Sequence, residues 1–196
     1  MNQVDDQYYI TKIVAGDSKA FAVLVDRYKD LVFTLALRML KNREEAEEVS
    51  QDTFIKVFQS LVKFKGESKF STWIYRITYN GCLDRLKKYK QQYNVVPIDE
   101  YTERQIVDLS TIMDSLEEEE QRQTIKECLH LLSSEDSFLL TLYYYEEQSL
   151  DEISKIIGLT ANNVKVKLFR SRKKLAAILK ERLEPEIIEH YARENR

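Results

Sequence analysis

Apolar residues along the first part of the chain recur at helical spacing. Between positions 21 and 40, Phe21, Leu24, Val25, Tyr28, Leu31, Val32, Leu35, Ala36 and Met39 fall at the i, i+3, i+4, i+7 intervals of a buried helix face. After a break at Lys41-Asn42, Phe54, Val57, Phe58, Leu61 and Val62 repeat the pattern and are expected in the core. Glu45, Glu48, Asp52 and Lys56 line another, largely acidic face of the same helix. Gly66 marks a loop over 63–70, the spacing predicts helix again over 71–89, and a short helix over 5–15 precedes the whole. Periodicity then fades over 95–115, where Pro97 interrupts the chain.

Beyond that gap, caps and periods predict four compact helices. The first covers 116–132. Ser133, with Asp136 three residues later, is placed to cap a helix reaching 145. Ser149 and Glu152 form a capping box that opens a short helix ending at Gly158. Thr160 caps the last helix, through 179, with Val164, Leu168, Leu175 and Ile178 facing inward. The expected fold is therefore all-α. Two small helical domains, 1–94 and 116–184, are joined by a linker over 95–115 and followed by a tail over 185–196.

Composition agrees with this reading. Only 4 Gly and 2 Pro occur in 196 residues, too few for the dense turns of a sandwich or barrel. The two cysteines, Cys82 and Cys128, lie far apart without a neighbouring His, which argues against a disulfide framework or a zinc site. No basic, apolar leader opens the sequence, and no apolar run approaches the ~20 residues that span a bilayer. A cytoplasmic protein with no direct membrane insertion is expected.

A net charge of -3 first argues against nucleic acid. Its distribution argues otherwise. Positions 161–182 carry eight bases and one acid, and positions 63–90 carry eight bases and two acids. The linker segment 97–121 carries nine acids and one base. Such a segment repels itself, and it is expected to compete with DNA for the basic faces.

The stretch 149–174 has the arithmetic of a helix-turn-helix: short helix, Gly158 in the turn, then a basic helix. Leu150, Ile153, Ile157, Val164 and Leu168 would lock the pair. With the start of the second helix in a major groove, Asn162, Asn163, Lys165, Val166, Phe169 and Arg170 reach base edges or phosphates, while Arg172, Lys173 and Lys174 neutralise backbone. In the other basic zone, Phe64, Phe70, Trp73, Tyr75 and Tyr79 interleave with cations, a combination suited to unstacked single-stranded bases. Each ring taken alone fits ordinary core better, and only the combination of loop, rings and bases favours strand binding.

These segments resemble the extracytoplasmic-function sigma factors of the sigma-70 superfamily. The run from Phe64 to Ile77, with Asn80 and Asp84 after it, resembles the family's promoter-opening segment. Ala46 to Phe54 resembles its polymerase-binding helix, and Val164 to Arg172 its recognition helix. The resemblance implies a bacterial transcription initiation factor whose partners are core RNA polymerase, through the β′ clamp helices and β flap, promoter DNA as duplex and melted strand, and an anti-sigma factor. It assigns Glu48, Gln51, Asp52 and Phe54 to polymerase binding, Phe54 being an apolar position that suits core as well. Lys65, Ser68, Lys69, Phe70, Trp73, Arg76 and Asn80 match minus-10 positions. Asn162, Asn163, Lys165, Val166, Phe169, Arg170, Arg172 and Lys173 match minus-35 positions. Val166 departs from a position often polar in the family, and Leu132 is followed by Ser133 and Ser134 where the family commonly has a Leu-Pro pair.

No catalytic residue, cofactor or metal is implied. Two other classes fit parts of the sequence. A helix-turn-helix regulator would bind duplex tightly without polymerase, and an enzyme would use the carboxylates between Glu44 and Asp52 as metal ligands, although no His accompanies them.

Overall fold

A computed structural model describes residues 5–93 and 118–182, with side chains placed for 5–88 and 123–181. The linker 95–115, the tail 185–196 and the expectation that linker acids compete with DNA lie outside the described residues. In chain order the elements are α1 (Asp6–Val14), a 3-10 turn (Ser18–Ala20), α2 (Phe21–Leu40), α3 (Arg43–Ser60) and a second 3-10 turn (Leu61–Lys63). They continue with α4 (Phe70–Tyr93), α5 (Glu118–Leu131), α6 (Ser134–Tyr144), α7 (Leu150–Ile157) and α8 (Ala161–Arg182). Among the described residues there is no strand.

Local chemistry sets these boundaries. Lys41 takes a left-handed conformation (φ 54) that ends α2, and the Asn42 side chain accepts the Glu45 amide at 3.0 Å to start α3. Ser133 accepts the Asp136 amide at 3.2 Å, and Ser149 with Glu152 closes a complete capping box on α7. Gly158 holds φ 73, the left-handed turn that lets α8 leave α7 sharply. Thr160 accepts the Asn163 amide at 3.3 Å at the start of α8.

Helices α2, α3 and α4 pack together, with Leu24, Val32, Leu35, Ala36, Met39, Val57, Leu61 and Ile74 buried between them. In the second unit α6 is central. Phe138, Leu139, Leu140 and Leu142 are all buried, the mark of a helix enclosed on every side. One of those sides faces the first unit: α6 packs on α2 and α7 packs on α4, so a single apolar core runs from Ile10 to Leu179. Arg38 donates to the Lys126 carbonyl at 2.9 Å, and the Lys41 ammonium to the Leu132 carbonyl at 2.5 Å.

One expectation about the core is corrected. Phe58 and Val62 are 43% and 77% exposed, because the core line of α3 and its following turn runs through Val57 and Leu61 instead. Phe54 is half-buried, its ring 6.5 Å from that of Phe21.

Asp136 ties α6 to α8. It accepts from Ser133 Oγ at 2.7 Å, Ser171 Oγ at 2.5 Å and Lys174 Nζ at 2.8 Å. Burial opposes its charge, yet the bonds from Lys174, Ser133 and Ser171 prevail and hold its pKa below the ordinary value of 3.8. Its contribution to stability is therefore complete above that value and is lost as pH falls through the lower folded value. Asp136→Asn is expected to destabilise the protein by about 2 kcal/mol at neutral pH, since charge-assisted bonds are lost. Thermal melts should show the gap to wild type narrowing below pH 3.8, and a constant gap would contradict this role.

Candidate nucleic-acid interface

The loop 64–69 joins the second 3-10 turn to α4, and Gly66 takes a positive φ of 72 there. Three rings anchor it. Phe64 lies 5.7 Å from Phe70 and 5.2 Å from Trp73, and Phe70 lies 5.4 Å from Tyr28. Phe70 is thus core, buried among aromatics, rather than a free stacking platform, and Trp73 is half-buried against it. Lys65 is exposed, and the half-buried Ser68 donates its hydroxyl to the Lys69 carbonyl at 3.3 Å. Arg76 and Asn80, one turn apart, face outward on α4. Their neighbours Tyr75 and Tyr79 point the other way and are buried.

The Lys69 ammonium reaches across to the second unit. It pairs with Glu152 Oε1 at 2.7 Å, while Glu152 Oε2 accepts the Ser149 amide at 2.9 Å and the Ser149 hydroxyl at 2.8 Å. Lys69 and the two bonds from Ser149 outweigh the opposing effect of burial and draw the Glu152 pKa down to about 2.

On α3, Glu48, Gln51 and Asp52 are exposed along one stripe, which continues through Ile55 and Phe58 to Val62 beyond the helix. The acidic end therefore runs into an apolar end, two of whose residues, Phe58 and Val62, periodicity alone assigns to the core. Arg85 of α4, which the sequence does not single out, pairs with both Glu45 and Glu48. A polar groove between α3 and α4 is lined by Asp52, Lys56, Asp84, Arg85 and Lys88. Among the described residues no group of three His, Cys, Asp or Glu side chains is gathered as a metal site, and Arg85 already engages two acids of this helix.

On α8, Asn162, Asn163, Lys165, Val166, Phe169, Arg170 and Lys173 are all exposed. The Lys173 ammonium sits 4.8 Å from the Phe169 ring centre. Arg172 departs from this row. Its guanidinium lies 5.2 Å from the Tyr143 ring and 5.4 Å from the Tyr144 ring of α6, a cation–π contact within the unit. Lys174 is bound to Asp136, and Lys167 pairs with Glu135. The structure thus separates two groups of cations on one helix: those that face solvent and those that brace α8 against α6. No helix among the described residues is long and apolar enough to cross a membrane.

Two family models match the chain. The model of sigma-70 region 2 matches residues 24–92, and that of sigma-70 region 4 matches 122–175. The chain is 33% identical over 178 residues to the ECF RNA polymerase sigma factor SigW of Bacillus subtilis, covering 88% of this chain and 95% of that one. Two solved structures share the fold at 20% identity. One is CnrH in complex with the cytosolic domain of CnrY, with a TM-score of 0.64 over 91% of this chain and 99% of that one. The other is the sigma factor RpoE in complex with the anti-sigma factor NepR from Bartonella quintana, with a TM-score of 0.62 over 84% and 99%. With both sigma-70 regions in order and a relative of this similarity matched over nearly its full length, the chain belongs to the ECF sigma factors of the sigma-70 family.

Proposed function

We propose that this sigma factor works through three separate faces in the cytoplasm, without a catalytic group of its own. Glu48, Gln51 and Asp52 dock on the β′ clamp helices of core polymerase, and the apolar half of the same stripe, Ile55 and Phe58, completes the contact. The loop from Lys65 to Lys69, with Trp73, Arg76 and Asn80, captures the melted minus-10 strand. The exposed row Asn162, Asn163, Lys165, Val166, Phe169, Arg170 and Lys173 reads the minus-35 duplex, with the second unit held by the β flap. The observation that carries this reading is the sorting of cations on α8, where a row of polar, basic and apolar side chains is left facing solvent while its neighbours are consumed internally.

Energetics favour a shared machine over a lone binder. Opening duplex exchanges stacking worth about 1.4 kcal/mol per step for contacts to the separated strand. Base–aromatic stacking returns about 1–3 kcal/mol per base, so a few rings and cations offset only a few steps. Tethering both units to polymerase raises their effective concentration at the promoter, which lets each remain weak alone. An anti-sigma factor, as in the Bartonella quintana complex, is the regulatory partner in this reading.

Asp52→Lys should abolish co-elution with core polymerase and promoter-specific run-off transcripts while leaving helical circular dichroism unchanged. Co-elution at wild-type strength would remove Asp52 from the docking face. Lys165→Ala combined with Arg170→Ala should weaken minus-35 binding and lower the slope of log affinity against log salt by up to about 1.8, or about 0.9 per phosphate contact. An unchanged slope and sequence preference would exclude α8 as the reading helix.

A further inference from the structure

Arg85 joins the acidic stripe of α3 to α4, the helix that carries Arg76 and Asn80. A Cβ at Gly81 of α4 would meet Val49 Cγ1 of α3 at 3.3 Å, so the two helices press together at that point. One turn C-terminal of Gly81 stands Arg85, and one turn N-terminal of Val49 stands Glu45, the register of two helices running antiparallel. Arg85 Nε pairs with Glu45 Oε2 and Arg85 Nη2 with Glu48 Oε2, so one guanidinium bridges two carboxylates three residues apart. The two acids differ in what they show to solvent. The Glu45 side chain is 21% exposed and that of Arg85 26%, whereas that of Glu48 is 66% exposed. Glu45 anchors the fork inside the seam, and Glu48 is held at its outer edge with most of its surface turned to solvent.

We infer that Arg85 is a positioning residue for polymerase docking: it makes no contact with the polymerase itself and fixes the Glu48 carboxylate in the orientation in which the clamp helices take it. This rests on the docking role proposed above for Glu48, Gln51 and Asp52.

Two physical effects support the assignment. Glu48 has Glu44 four residues before it and Asp52 four residues after it, and like charges at that spacing repel. On the adjoining side Glu47 is met from its own helix by Arg43 at 2.9 Å, while the edge formed by Glu45 and Glu48 is met from the neighbouring helix by Arg85. A glutamate that reaches an interface as a free rotor also loses rotamer entropy on docking. Contact with Arg85 imposes that order before the partner arrives. The fork geometry matters here, because a lysine ammonium is a point charge that fixes no angle.

Net charge alone gives the opposite expectation. An acidic face attracts a basic partner, and a cation within that face weakens the attraction. If docking depended only on charge, removing Arg85 would tighten it. Positioning requires that removing Arg85 weaken it.

The test is a double-mutant cycle on the affinity of the full-length chain for core RNA polymerase, followed by titration. Glu48→Gln should cost about tenfold in the wild-type background and no more than about twofold in the Arg85→Gln background. Arg85→Gln alone should weaken binding about five- to tenfold, and Arg85→Lys, which keeps the charge without the fork, about two- to threefold. Lys87→Gln, the same charge change at an exposed position of α4, should leave affinity unchanged. Wild-type or tighter binding by Arg85→Gln would overturn the inference, as would equal weakening by Lys87→Gln. A tenfold penalty for Glu48→Gln in both backgrounds would also overturn it, since that is the pattern of an arginine that only stabilises the fold. Wild-type affinity of Glu48→Gln itself would remove Glu48 from the docking face, and the inference with it, whereas loss of binding by Asp52→Lys would keep the rest of that face in place.

Discussion

Helix α4 is asked to do two incompatible things, and the rest of the structure follows from how it reconciles them. One face must be buried, because Phe70, Ile74, Tyr75 and Tyr79 are large and apolar. The other must stay wet, because Arg76 and Asn80 have no role in the core. Helical geometry allows this, since adjacent residues point about 100° apart. The buried face is too long for α2 and α3 to cover, so α6 and α7 cover the remainder. The two units thereby become one folded body, and the chain's DNA-binding elements become coupled to each other.

Electrostatics reinforce that coupling. The nearly neutral net charge conceals basic zones, and the structure shows where their internal partners lie. Lys69, Lys167 and Lys174 each pair with an acid of α6 or α7. Arg85 is taken by two acids of α3. Among the cations left exposed are Lys65 and Arg76 on the first unit, and Lys165, Arg170 and Lys173 on the second.

Much of the fold is legible in the sequence because its signals are local. Ser133, Ser149 with Glu152, and Gly158 each act within four residues, and each sits where its spacing places it. The helix-turn-helix and the loop around Gly66 follow from the same short-range rules. Readings that depended on distant neighbours fared differently. Periodicity gave the apolar side of α3 but not its edge, so Phe58 and Val62 were grouped with Val57 and Leu61. Phe70 has the chemistry of a stacking ring and of a core residue alike, and only the positions of Tyr28 and Phe64 decide between them. Arg172 belongs by sequence to a basic row and by structure to Tyr143 and Tyr144. No spacing rule could have joined Arg85 to Glu48, or Lys69 to Glu152.

The central claim is that one continuous apolar core joins the two units, so the distance between them is the quantity to measure. Spin labels at Ala22→Cys in α2 and Lys155→Cys in α7, both exposed positions, report it by pulsed dipolar spectroscopy. Free protein should give one short, narrow distribution. A long or broad distribution in the free protein would contradict the account.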